Sequence, residues 1–143
     1  MERAFFRRTR PIATTSRTLA VACAKICDDK KAQEILVLDV RKLTFIADYF
    51  VICSSQNERQ SHAIAEEIAV ALKKKGVRSV NGMSPERDGV WVLQDFGDVV
   101  VHVFREDQRG FYDLESLWAD APQVKWARAR APRKNGAAKK VAE

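Results

Sequence analysis

The sequence predicts an α/β domain with about five strands in a mixed β-sheet covered by helices. Three observations carry that expectation. Val90–Phe104 reads as two β-branched and aromatic runs separated by Asp95-Phe96-Gly97-Asp98, a β-hairpin in which Gly97 supplies the positive φ and an aspartate holds the bend. Both faces of this hairpin are apolar. Period-two alternation opposes Trp91 and Leu93 to Val90, Val92 and Gln94, and opposes Val99, Val101 and Val103 to Val100, His102 and Phe104. Such a pair belongs inside a sheet with something packed on each side. The remaining apolar runs switch between helical and strand periods in the order α-β-β-α-β-β-β-α.

Taken in order, Leu19, Ala22, Cys23, Ile26 and Cys27 fall at helical spacing, with Ser16 or Thr18 as the N-cap and a polar end at Asp28–Lys31. Glu34–Val40 and Asp48–Ser54 read as strands joined by Arg41–Ala47. Ser55-Gln56-Asn57-Glu58 fits a capping box, and Asn57 with Gln60 fits the same box in another frame. The helix that follows carries Ile64, Ile68, Ala71 and Leu72 on one stripe; Lys73–Lys75 complement its negative end and Gly76 stops it. Val77–Val80 is expected as a short strand and Asn81–Gly89 as an exposed loop. After the hairpin, Arg105–Gly110 is expected to turn the chain. Phe111, Leu114, Leu117 and Trp118 then predict a short amphipathic helix ended by Pro122.

Charge divides the chain into three parts. Residues 1–17 carry five arginines against Glu2, a net of +4, and residues 125–143 carry seven Lys/Arg against Glu143, a net of +6. The middle, 18–124, has a net of −4, so the overall +6 belongs to the ends. Residues 1–17 suit a basic disordered arm or an organellar transit segment, residues 125–143 a basic mobile tail, and 18–124 the folded domain. A mildly acidic domain points to a basic partner surface rather than to direct nucleic-acid binding. No apolar run approaches the roughly 18 residues that span a bilayer, so a soluble chain is expected. Three cysteines at no ligand-like spacing suit a reducing compartment and buried packing.

Catalytic chemistry is hard to assemble from these residues. Ser61 and His62 are neighbours on a helix, where side chains diverge by about 100° and form no nucleophile–base pair. His102 sits among strand valines. There is no Cys/His cluster with zinc spacing, no Gly-rich phosphate loop and no Rossmann fingerprint. Asp95 and Asp98 are explained by the turn they flank, and Asp95-Phe96-Gly97, which protein kinases also contain, lacks every accompanying kinase signature. The residues alone favour a binding module without catalytic site, cofactor or metal.

Several of these stretches resemble the ribosomal silencing factor family, also called the Iojap family. They are Asp48–Ser54, Arg59-Gln60, Gly89–Leu93, Asp95–Phe104 and Phe111–Pro122, and the match runs in register over about residues 18–124. Two departures are Ser55, where a glycine usually follows the strand, and Gln56-Asn57-Glu58 in place of small hydroxyl residues. The resemblance implies a nucleotidyltransferase-like fold without its catalytic site, commonly dimeric. It also implies a translational repressor that docks on the large ribosomal subunit through large-subunit ribosomal protein fourteen, blocks joining of the small subunit and lowers translation when nutrients are scarce. A bacterial cytoplasmic protein is expected, or a mitochondrial or plastid one if residues 1–17 are part of a transit peptide. The alternatives are a nucleotidyltransferase-like enzyme and a general RNA-binding protein acting through basic ends that are candidates for rRNA contact.

Candidate partner-binding residues follow from an acidic domain meeting a basic surface. Trp91, Tyr112 and Trp118 are the aromatic anchors, because aromatic side chains dominate the centres of interfaces. Asp95, Asp98, Glu106 and Glu115 are the carboxylates expected to face basic residues of the partner, with His102 as a hydrogen-bonding contact.

Overall fold

The computed structural model describes residues 15–80, 84–86 and 90–127. The expected arm up to residue 14 and the expected tail beyond 127 lie outside the described residues, as do the ends of the expected loop at 81–83 and 87–89.

Helix α1 spans Ser16–Asp29 and is capped by Thr15, whose Oγ1 accepts from Thr18 N at 3.1 Å. The cap thus falls one residue before the expected Ser16. Leu19, Ala20, Cys23, Ala24 and Cys27 form the buried face, and its small side chains let the helix lie close on the sheet. Helix α2 spans Glu58–Lys74. Its cap is the Asn57 frame: Asn57 Oδ1 accepts from Gln60 N at 2.8 Å, and Gln60 Oε1 accepts from Gln56 N at 2.7 Å. Gln60 Nε2 also donates to Lys30 O at 2.9 Å, which ties the start of α2 to the end of α1. The displaced Ser55 hydroxyl turns inward and pairs with buried Ser61. At the other end, Gly76 has φ +82°, Val77 N donates to Leu72 O and Gly76 N donates to Lys73 O, the paired bonds of a Schellman stop.

The strands are β1 (Gln33–Asp39), β2 (Tyr49–Ser55), β3 (Ser84–Glu86), β4 (Trp91–Asp95) and β5 (Val99–Arg105), in the sheet order β1-β2-β5-β4-β3. Four substantial strands make the mixed sheet, and β3 adds a three-residue edge. Strands β2 and β5 are parallel, while the other pairs are antiparallel. The hairpin has the expected register, with Trp91 opposite Phe104 and Asp95 opposite Val100. Gly97 takes φ +93° and donates its N–H to Asp95 Oδ1 at 2.8 Å.

One expected strand moves. Val77–Val80 is not a strand: its first residue completes the helix stop, and Val80 is exposed. The third strand instead falls at Ser84–Glu86, within the expected loop, and pairs with β4. Pro85 lies on it, and proline, lacking an N–H, suits an edge.

Helices α1 and α2 cover one sheet face, packing on Val37, Tyr49, Val51, Cys53, Val92, Val99, Val101 and Val103. Gln94, buried on β4, donates to Ala65 O at 2.9 Å and fixes the sheet to α2. All three cysteines are buried in this layer, and burial pushes the Cys23 thiol up to about 12, so it stays protonated and inert.

Past β5 the structure differs from the single amphipathic helix expected. The chain forms α3 (Glu106–Tyr112) and α4 (Leu114–Leu117), split by Asp113 at φ +46°. The left-handed residue breaks the 3.6 period, so Leu114 is buried while Phe111 and Leu117 are exposed. The chain then crosses to β1 and closes its free edge: Asp39 N donates to Pro122 O and Val124 N donates to Val37 O. Trp126 packs on the helix-covered layer and donates its indole N–H to Ile35 O at 3.3 Å. Ordered structure therefore extends past both limits of 18–124, to Thr15 and to Trp126.

Trp126→Ala should lower stability by roughly 2 kcal/mol, from lost burial and one hydrogen bond. Urea unfolding checks it; an unchanged midpoint would mean the segment after Val124 contributes nothing to the fold.

Candidate functional site

The second sheet face carries Leu38, Phe50, Ile52, Val100 and Phe104, and its cover is thinner: α3, α4 and the segment leading to Val124. Trp91, Leu93, Tyr112 and Trp118 remain half-buried there. Aromatic rings dominate the layer. Trp91 lies 5.0 Å from both Phe104 and Tyr112, Phe104 lies 5.6 Å from Tyr112, and Phe50 meets His102 and Trp118 edge-on at 5.0 and 5.1 Å. Such contacts restrict the rings to defined orientations.

His102 sits inside this layer, only 5% exposed. Trp91 Nε1 donates to its Nδ1 at 3.2 Å, so Nδ1 is the acceptor and the neutral ring carries its proton on Nε2. Burial drives its pKa down to about 3. A histidine that stays neutral and fixes an indole is a positioning residue, and its burial removes it from the surface contacts expected of it.

A second buried polar group holds the cover in place. Arg109 on α3 is 5% exposed, and its guanidinium makes four bonds to three groups. Nε and Nη2 bind Glu115 Oε2 at 2.9 and 2.8 Å, while Nη1 donates to Glu34 O at 2.6 Å and Ser54 Oγ at 2.8 Å. One side chain thus joins α3 to α4, to the start of β1 and to the end of β2. Two non-glycine residues with positive φ serve it. Glu34, at φ +49° in the β1 irregularity, offers its carbonyl, and Asp113 turns the chain between Arg109 and Glu115. A buried cation is costly unless well hydrogen-bonded, and these three groups supply four bonds.

The candidate residues therefore separate. Trp91, Tyr112 and Trp118 come together on one face. Glu106 is exposed, and half-buried Asp95 holds the Gly97 N–H. Asp98 is buried, and its carbonyl accepts from Asp48 N and Tyr49 N, so it belongs to the turn rather than the surface. Glu115 is bound to Arg109 and is not available as an outward carboxylate. Phe111 and Leu117, expected in the core, are instead 78% and 75% exposed. Phe45, in the β1–β2 connection, is 94% exposed, with Leu43 and Ile46 exposed beside it. Sequence periodicity gave no sign of Arg109; the signal for Phe111 and Leu117 was the density of acids around them. Among the described residues no group of histidines, cysteines and carboxylates is arranged to hold a metal ion, and no helix is long and apolar enough to cross a membrane.

The sequence profile of the family described as "Ribosomal silencing factor during starvation" matches residues 13–143. A ribosomal silencing factor of Bacillus subtilis is 44% identical over 106 residues, covering 74% of this chain and 89% of that protein. The chloroplastic Iojap protein of Arabidopsis thaliana is 37% identical over 109 residues, 76% of this chain and 45% of its own length. A crystal structure of a protein from Chromobacterium violaceum superposes with a TM-score of 0.70 at 32% identity, covering 88% of this chain and 98% of the other.

Glu115→Lys should destabilise the fold by roughly 3–5 kcal/mol, because it leaves Arg109 buried against a like charge. Arg109→Met combined with Glu115→Leu should recover most of that loss, and thermal melts of the three proteins compare them.

Acid sensitivity follows from His102. Its folded pKa lies below the roughly 6.5 of an unfolded histidine, so the unfolded chain binds the proton first as pH falls. The stability it contributes is complete above about pH 6.5 and is lost progressively toward pH 3, amounting to roughly 3 kcal/mol by pH 4. His102→Gln, which keeps an acceptor for Trp91, should flatten the stability profile between pH 6.5 and 4. An unchanged slope in that variant would assign the acid loss to other groups.

Proposed function

Because the chain belongs to the ribosomal silencing factor family, we propose that it represses translation by docking on the large ribosomal subunit and sterically preventing the small subunit from joining. The observation that carries this reading is the family match across the whole described domain, joined to a fold whose thinly covered face is aromatic. The proposed partner is large-subunit ribosomal protein fourteen, and lowered translation under nutrient limitation is the proposed outcome. Trp91, Tyr112 and Trp118 are the proposed anchors, with Glu106 and Asp95 toward basic residues. His102, Asp98 and Glu115 act from behind, by holding the face in shape.

We read the architecture as nucleotidyltransferase-like in topology alone, and the protein as a regulator rather than an enzyme. Support comes from the family's regulatory character and from Ser61, whose hydroxyl pairs with Ser55 rather than with a base. The basic segments, 1–14 and the part of 125–143 beyond Trp126, are proposed as peripheral arms that add rRNA affinity, and a homodimer is a proposed state of the free protein. The proposed location is the bacterial cytoplasm. Relatives named chloroplastic and mitochondrial make an organelle the alternative.

Sucrose-gradient sedimentation of purified subunits tests the reading. Adding the protein before the subunits are mixed should shift material from joined ribosomes to free subunits, with the protein co-migrating with the large one. Undiminished joining at saturating protein would reject the silencing mechanism. Turnover of nucleoside triphosphates with Mg²⁺ would restore the enzyme alternative.

A further inference from the structure

We propose that the end of the domain at which β1 finishes and β2 begins binds an unpaired strand of rRNA, with Phe45 stacked on a base and a row of cations along the phosphates. The inference rests on the docking reading above and adds a second contact, on a different part of the molecule and with nucleic acid.

The net of −4 over 18–124 hides an uneven division of charge. Gln60 bonds the start of α2 to the end of α1, and both helices pack on one sheet face, so α1 begins at the end where α2 finishes. Val80 N donates to Asp95 O at 2.6 Å, which places the chain after α2 beside the hairpin turn. Arg41, with a smaller contribution from Arg17, holds the Asp39 carboxyl below its usual range, so the start of α1 also lies near the end of β1. Exposed Arg17, Lys42, Lys73, Lys74, Lys75 and Arg78 therefore gather at this end. The carboxylates there are engaged within the fold. Asp39 is bound by Arg41, Asp95 Oδ1 accepts the Gly97 N–H, and Asp48 and Asp98 are buried. Ala69, Val70 and Ala71 stand four residues before the three lysines, where a pairing acid would sit, and Glu66 and Glu67 lie about two turns back. Residues 1–14, which join α1 here, add four arginines against Glu2.

A phosphate polymer fits this row better than a protein. Lysines are depleted in protein interfaces, whereas along a nucleic-acid backbone each one displaces a counterion. Helix α1 lies over β1 and β2 and α2 over β5 and β4, so the cations are spread across the sheet end rather than clustered at one point. Three strand spacings cover about 14 Å, room for a few nucleotides. Phe45 specifies the form of RNA. It is 94% exposed on an ordered loop, in which Leu43 N and Thr44 N donate to Val40 O and Ile46 N donates to Thr44 Oγ1 at 3.1 Å. An exposed ring beside cations is a stacking platform, and only an unpaired base offers its face to one.

The test compares wild type, Phe45→Ala, Phe45→Tyr and the triple neutralisation Lys73→Gln/Lys75→Gln/Arg78→Gln. Affinity for purified large subunits is measured over a range of salt, with oligouridylate and phosphatidylglycerol vesicles as isolated probes and thermal melts as the check on folding. Neutralisation should weaken subunit and oligouridylate binding and lower the slope of log affinity against log salt by about 2. Phe45→Ala should weaken both about tenfold with the slope and the melt unchanged, and Phe45→Tyr should restore the affinity. If all variants bind subunits with wild-type affinity and slope, this surface is wrong and the docking reading stands. A lowered slope with Phe45→Ala still at wild-type affinity would overturn the stacked strand. Tight binding to the vesicles and none to oligouridylate would assign the end to a membrane and overturn the inference. Wild type that binds oligouridylate but not the large subunit would reject the docking reading and support the RNA surface alone.

Discussion

Strands β2 and β5 lie side by side in parallel, and every residue of both except Arg105 is buried. A strand pair with no wet face must be covered twice. Helices α1 and α2 provide the first cover through a wide stripe of small and branched side chains. The second cover is shorter, eleven residues of helix with the segment leading to Val124. Arg109 fixes its position, by bonding α3 to the ends of β1 and β2 and to α4.

That dependence joins stability to function. The cover held by Arg109 is also the surface that carries Phe111, Leu117 and the exposed carboxylates. It is ordered by a buried ion pair rather than by deep packing, so its outer side can remain apolar without the face collapsing. His102 acts in the same way one layer down, since its acceptor nitrogen fixes the indole of Trp91. Both groups shape this face from inside the molecule.

Local chemistry was legible in the sequence, and chemistry depending on distant neighbours was not. The hairpin could be read because Asp95, Gly97 and the alternating valines encode turn and faces within fifteen residues. The stop of α2 could be read from Gly76 and the preceding lysines. The strand expected at Val77–Val80 failed because Val77 is used to close the helix stop. The stripe Phe111–Leu114–Leu117–Trp118 failed because its helical period assumes one continuous helix, and Asp113 breaks it. Arg109 looked like one charge in a polar run; its partners include Ser54 and Glu34, 55 and 75 residues away in sequence. Trp126 was hidden in the same way by a basic composition that suits a tail.

Site-specific cross-linking measures the central claim most directly. Benzoylphenylalanine placed at position 111, where the side chain is exposed, would be photoactivated in complexes with purified large subunits and the products identified by mass spectrometry. Docking through the α3–α4 face predicts one dominant cross-link to a basic large-subunit protein on the surface that the small subunit covers, displaced by excess unlabelled protein. Dominant cross-links to rRNA, or to a protein on the solvent side of the subunit, would contradict it.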